Sequence, residues 1–176
     1  FALVDATPNS TPANLRPVLF SSHQSAFLAG YLAASRTTTG SVGAFGGLKV
    51  PEVTIYLDGF VQGVAHHNQV KATQVRVLGW DLVAQDGTFV RSTTSAWNDP
   101  EAGRAAAASL AEQGADIILA VAGDSGRGAL ELAQQSTDLQ IIWSQTDGCI
   151  TEAAFCDQVL GSVVKHRDTA ILELIR

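Results

Sequence analysis

Few of the residues that could do covalent chemistry in this chain are spaced to do it. The four histidines, His23, His66, His67 and His166, are scattered, so no catalytic triad or metal cluster can be assembled from them in sequence. His66-His67 reads as the solvated end of a helix. The carboxylates are spread out and suggest no acid/base pair. Gly40, Gly43, Gly46 and Gly47, followed by Lys49, do not supply the GxxxxGK[ST] spacing of a nucleotide phosphate loop. Gly123-Asp124-Ser125-Gly126-Arg127-Gly128 has such a loop's outline. Between a strand and a helix its backbone N–H groups could meet an anion or hydroxyl; the other reading is a tight strand-to-helix turn. No acidic ribose partner follows at the distance a dinucleotide site requires, and Ser125 lies outside a GxSxG elbow. The residues therefore point to a binding protein rather than an enzyme, with no metal and no cofactor.

Binding candidates are easier to find. Trp97 sits in the polar loop Ser95-Ala96-Trp97-Asn98-Asp99-Pro100. There a large aromatic can stack on a flat ligand ring, or fold back as a hydrophobic staple before a helix. Asp5 ends an apolar run and can accept hydrogen bonds from a ligand or cap its own turn. Lys165 ends another run and reads equally as a surface lysine. Cys149 and Cys156 match neither a CxxC redox motif nor a zinc set. They suit a small-loop disulfide of an oxidising compartment, or two unrelated buried thiols. Asn9-Ser10-Thr11 has the form of a glycosylation sequon but carries no weight here.

The elements that must position these residues alternate. Strands are expected at Phe1–Val4, Arg16–Phe20, Ser41–Phe45, Gln74–Trp80, Asp116–Val121, Gln140–Trp143 and Gln158–Val164. Helices are expected at His23–Arg36, from Pro51 through Val64, at Ala102–Gln113 behind the Asp99-Pro100 start, at Ala129–Gln135 and at His166–Arg176. Asp86-Gly87 signals a hairpin with Thr88–Arg91 as its return strand. Strands alternating with helices imply an α/β fold with a parallel sheet covered on both faces. Ligands then sit beyond the C-terminal strand ends, which here are Asp5, Gly46-Gly47, Trp97, Gly123-Asp124 and Gln145 to Asp147. The formal net charge of −6 repels phosphate backbones and argues against nucleic acid as a partner. Phe1-Ala2-Leu3-Val4 reads as strand interior, so the expectation is that sequence precedes Phe1 and carried any export signal.

Several segments in order resemble one family. They are Phe1-Ala2-Leu3-Val4-Asp5-Ala6, Ala26-Phe27-Leu28-Ala29-Gly30-Tyr31, Ser41-Val42-Gly43, Gly46-Gly47 with Pro51, Asp58-Gly59-Phe60, Asp99-Pro100 with Gly103, Gln113-Gly114-Ala115-Asp116, Val121-Ala122-Gly123 and Leu160-Gly161-Ser162-Val163-Val164-Lys165. The series is similar to the basic membrane protein family, nucleoside-binding lipoproteins of ABC importers. Leu78-Gly79-Trp80-Asp81 and the stretch from Trp143 to Cys149 look like its actinobacterial branch.

The resemblance implies a type I periplasmic-binding-protein fold: two doubly wound lobes closing on a ligand about a hinge, with the first part of lobe one missing. Residues 1–40 would be the latter part of lobe one, 41–143 lobe two, and 144–176 the hinge and the return to lobe one. Carried over residue by residue, it implies that Asp5 contacts a base, Trp97 stacks on it, and Gly123 and Lys165 line the site. The family's acidic residue for ribose hydroxyls falls on Gln145, with Asp147 at its second acidic position. An amide has one acceptor group where a carboxylate has two, so ribose recognition is where this chain departs. Gly161, where the family usually has Thr, is a milder departure. The implied partners are a nucleoside-like small molecule and an ABC permease, with a lipid anchor outside the cytoplasm and possible dimerisation through the open edge of lobe one. The second reading is a ligand-sensing domain of the same fold that has lost transport.

Overall fold

Burial of both faces of one parallel sheet organises most of the chain. The computed structural model describes every residue except Thr7, Asn9 and Thr11. The sequon-like triplet, through Asn9 and Thr11, therefore falls outside the described residues. In chain order the elements are β1 (Ala2–Val4), β2 (Arg16–Val18), α1 (Ser22–Arg36), β3 (Ser41–Gly46), α2 (Pro51–Lys71), β4 (Arg76–Leu78), β5 (Trp80–Asp81), β6 (Asp86–Gly87) and α3 (Pro100–Glu112). They continue with β7 (Ile117–Val121), α4 (Arg127–Gln134), β8 (Gln140–Gln145), α5 (Gly148–Thr151), β9 (Val159–Val164) and α6 (Arg167–Ile175).

Five strands pair in the order β4-β3-β7-β8-β9, every pair parallel. Strand alternation sends successive side chains to opposite faces. In β7, Ile117, Leu119 and Val121 join Val42 and Ala44 of β3 beneath α1 and α2. Ile118 and Ala120 join Phe45, Ile141 and Trp143 beneath α3 and α4. With both faces covered the strands read as continuous apolar runs, and that is why β7 and β8 are legible in the sequence. On one face α1 and α2 touch backbone to backbone. A Cβ at Gly30 would collide with the Phe60 carbonyl, and one at Gly63 with the Phe27 carbonyl. Outside this sheet, β1 and β2 form a two-stranded parallel pair. None of the residues of α6 is buried.

Two expectations are corrected. Asp86-Gly87 is not the turn of a hairpin but its second strand, paired antiparallel with Trp80–Asp81. The turn lies earlier because Asp81 Oδ1 accepts from Val83 and Ala84 N–H, both at 2.8 Å, an Asx-type closure. In place of a return strand, Phe89 makes an isolated parallel bridge to Gly46. Of the His66-His67 pair, His66 is exposed but His67 is not at a solvated helix end. α2 continues to Lys71, and His67 is buried, edge-on to the Tyr31 ring and 3.1 Å from Thr73 Oγ1. α1 packs with α2 on the five-stranded sheet, and β8 and β9 belong to that same sheet.

At the opposite, N-terminal end of the sheet, Asp116 holds the α1–β3 connection. Its carboxylate accepts from Thr37 Oγ1 (2.6 Å), Thr38 N (2.6 Å), Thr38 Oγ1 (2.8 Å) and Thr39 N (3.1 Å). Burial pushes this carboxyl up, but the hydrogen bonds from Thr37, Thr38 and Thr39 outweigh it and hold it below the usual range. A carboxyl depressed in the folded state adds stability that is complete above its unfolded-state value and is lost as pH falls through its folded value. Asp116→Ala should therefore cost about 2–3 kcal/mol at neutral pH, and the deficit should shrink as acid titrates the wild type. Urea midpoints of both proteins at neutral pH and well into the acid range measure this; an unchanged deficit at low pH would contradict it.

Candidate functional site

The sheet reverses its strand order between β3 and β7: the chain steps outward to β4, then returns past β3 to β7 and continues to β8 and β9. The loops leaving β3 and β7 must part in opposite directions, which opens a crevice at their C-terminal ends. Its floor is glycine. Gly47 N–H donates to the Val121 carbonyl at 2.9 Å, and Gly123 turns with φ +56°, a left-handed value that glycine adopts without penalty. Trp97 lies over this floor. A Cβ on Gly47 would come within 2.7 Å of the Trp97 ring, and one on Gly123 within 3.1 Å of its carbonyl. Trp97 remains 36% exposed. Ala96, rather than Trp97, is the loop residue packed against the α3–α4 core.

Ser125 holds the loop in place. Fully buried, its hydroxyl donates to the Ala96 carbonyl (3.0 Å) and accepts from Asp99 N–H (2.8 Å), while Ser125 N–H donates to the Trp97 carbonyl (3.3 Å). Asp99 then caps α3 by accepting from Ala102 N–H at 3.0 Å. The Ser92 hydroxyl, and secondarily that amide, hold the Asp99 carboxyl below its usual range against burial. The Gly123–Gly128 segment is therefore a tight turn that also braces the aromatic loop.

A second cluster gathers at the ends of β1, β8 and β9. Lys165 is buried and donates to Asp5 Oδ1 at 2.8 Å. Its Nζ lies 5.1 Å from the Tyr56 ring centroid and 5.6 Å from that of Phe20, within cation–π range. Arg167 Nη2 lies 3.6 Å from Asp5 Oδ2 and also donates to Gln145 Oε1. Lys165 N–H donates to the Gln145 carbonyl at 3.0 Å. Asp5 (φ 59°) and Gln145 (φ 75°) are two of the four non-glycine residues with left-handed backbones among those described. Each such residue costs about 1–3 kcal/mol and persists where its surroundings impose it. A cavity of about 310 Å³ lies beside the cluster, its wall including Asp5, Phe20, Ser21, Glu52, Ile55 and Lys165.

This geometry has known counterparts. The family model for ABC transporter substrate-binding proteins described as PnrA-like (Bmp) matches residues 1–176. The chain belongs to this family. It is 31% identical over 137 residues to Basic membrane protein A1 of Borrelia garinii subsp. bavariensis, covering 77% of this chain and 36% of that protein. With Basic membrane protein D of Borreliella burgdorferi the identity is 30% over 166 residues, covering 94% of this chain and 43% of the relative. Among solved structures, an ABC transporter system solute-binding protein from Aeropyrum pernix K1 superposes with a TM-score of 0.66 at 23% identity, covering 82% of this chain and 39% of that one. The fold is thus the type I periplasmic-binding fold expected from the sequence. The family is one of binding components, not enzymes. This PnrA-like chain spans about two-fifths of the length of these relatives.

Of the expected site residues, Asp5, Gln145 and Lys165 are brought into direct contact, and Trp97 and Gly123 meet at the strand-order reversal. Asp147 stands apart: it is exposed, and its Oδ1 accepts from Cys149 N–H at 2.9 Å, capping α5. Cys149 and Cys156 are joined in a disulfide that closes the α5 loop. Arg167, Tyr56, Phe20 and Ser125 were not singled out by their spacing as parts of a site. Ser125 carried the one usable signal, a hydroxyl in a glycine-rich turn.

Ser125→Ala should cost about 1–3 kcal/mol, because it leaves the Asp99 amide and the Ala96 carbonyl without their partner. It should also weaken the near-ultraviolet circular dichroism of the tryptophans while far-ultraviolet spectra stay unchanged. Undiminished near-ultraviolet signal would mean that Trp97 is held without Ser125. Separately, alkylation of exported protein without reductant, followed by mass analysis, should leave both cysteines unlabelled, and Cys149→Ser should cost about 2 kcal/mol. Labelling of both thiols would refute the disulfide.

Proposed function

We infer that this chain is part of the ligand-binding body of an extracytoplasmic solute-binding component of an ABC importer. It takes a nucleoside or a similar small polar ring compound at the strand-end crevice. The observation that carries this reading is the partly exposed Trp97 ring, braced over Gly47 and Gly123 at the strand-order reversal. A rigid, half-covered aromatic face offers stacking to one side of a flat base. Asp5, Lys165 and Gln145, which meet in one cluster, would fix the polar end of the ligand.

Capture would proceed by hinge closure between the five-stranded lobe and a second lobe to which β1, β2 and α6 contribute. The loaded protein would then pass its ligand to an ABC permease, the binding component being held at the outer face of the membrane by a lipid anchor. Phe1, Ile171, Leu174 and Ile175 line an apolar recess beside β1 and α6, which supports pairing with a second copy along that edge. The engagement of Gln145 by Arg167 favours the alternative of a sensing domain of the same fold.

Thermal unfolding with guanosine, adenosine, inosine, uridine, free ribose and buffer tests the reading. A nucleoside at about 100 times its dissociation constant should add about 2.7 kcal/mol and raise the midpoint by several degrees, with ribose inert. Trp97→Ala should lower nucleoside affinity by about five-fold or more, since base–aromatic stacking contributes about 1–3 kcal/mol. If no nucleoside moves the wild-type midpoint, the nucleoside assignment is wrong.

A further inference from the structure

The cluster at the ends of β8 and β9 has more donors than it uses. Its acceptors are engaged from within. Asp5 Oδ1 receives Lys165 and Asp5 Oδ2 faces Arg167, while Gln145 Oε1, the only side-chain acceptor of that amide, is turned onto Arg167. The donors are not exhausted. Lys165 has three N–H bonds and Arg167 five, yet among the described residues Asp5 Oδ1 is the only hydrogen-bond acceptor of the Lys165 ammonium. That ammonium is on a side chain only 4% exposed, and it lines the 310 Å³ cavity. The four side chains carry two positive charges against one negative. Glu52 also lines the cavity, from the first turn of α2, but it makes no ion pair with this cluster among the described residues.

We propose that Arg167, locked against Gln145 and Asp5, is a specificity-determining residue that makes this end of the crevice an oxyanion subsite. The ligand's distal group is then a carboxylate or phosphate rather than a hydrogen-donating diol. A buried ammonium with unused donors gains most from a charged acceptor, and the planar guanidinium fork suits the paired oxygens of a carboxylate or phosphate. Gln145 acts as the positioning residue, its Oε1 accepting from Arg167. The inference rests on the crevice being the ligand site, but not on the ligand being a nucleoside.

Thermal unfolding of the whole chain in low-millimolar sodium phosphate, sodium acetate or sodium chloride, at matched ionic strength, tests it. Wild type should be stabilised by phosphate or acetate beyond chloride, with half-saturation in the millimolar range. Whichever anion acts more strongly distinguishes a phosphate from a carboxylate subsite. Arg167→Ala should raise the half-saturating concentration at least ten-fold. Gln145→Glu, which presents Arg167 with an internal carboxylate, should do the same if the alanine variant fails to fold. Lys71→Ala, on the exposed end of α2, should respond like wild type. General salting effects act alike on all variants. Equal shifts in chloride and in both oxyanions, or an undiminished response in Arg167→Ala and Gln145→Glu, would overturn the proposal. Neutral adenosine and guanosine run in the same series separate the two readings. A nucleoside response without an oxyanion response removes the subsite and leaves the nucleoside assignment; the reverse result removes the assignment and leaves the subsite.

Discussion

Everything in this protein that could meet a ligand depends on one constraint: a parallel sheet must be buried on both faces. Apolar side chains alternate up and down along β3, β7 and β8, so helices must cover each side, α1 and α2 on one and α3 and α4 on the other. Each helix returns the chain to the same end of the sheet, and so every strand delivers its C-terminus to one rim. The reversal of strand order between β3 and β7 then leaves a crevice at the sheet's centre. Close packing of α1 on α2 through Gly30 and Gly63 belongs to the same economy of space.

At that rim the backbone does much of the positioning. Gly123 and Gln145 leave β7 and β8, and Asp5 leaves β1 outside that sheet, with left-handed φ values that turn the chain sharply. Glycine takes such a turn freely; Asp5 and Gln145 do so at a cost, and each is held there by Lys165, through the ammonium in one case and the backbone amide in the other. Trp97 is held differently. Its loop has no sheet to lean on and is tied by the buried Ser125 hydroxyl to the start of α3. Two rigid walls of unlike chemistry result, an aromatic face over glycine and a polar group rich in donors. A small polar ring compound needs both.

Two carboxylate-centred clusters lie at opposite ends of the sheet. Asp116 satisfies a threonine-rich turn at the N-terminal end, where its lowered acidity range reflects hydrogen bonds that it needs for folding. Buried Lys165 and part-buried Asp5 form the comparable pair at the C-terminal end, beside an open cavity. The first carboxylate is saturated by its own neighbours. Around the second, charge and donors remain in excess, as expected of a surface shaped for something outside the chain.

The sequence by itself determined the α/β alternation, the buried strands β7 and β8, the Asp99-Pro100 start of α3 and the candidates Trp97, Asp5 and Lys165. These are legible because burial on two faces leaves unbroken apolar runs, and because capping chemistry is local. The ordered family motifs supplied the type I periplasmic-binding fold. Only the tertiary structure decided which candidates meet. Asp5 and Lys165 are 160 residues apart, and no local pattern joins them. Nor does spacing show that Arg167 takes the Gln145 oxygen, that His67 is enclosed within a longer α2, or that Asp81 closes its turn before Asp86. Each of these outcomes depends on a partner delivered by another element, and such partners exist only once the sheet has gathered its strand ends at one rim.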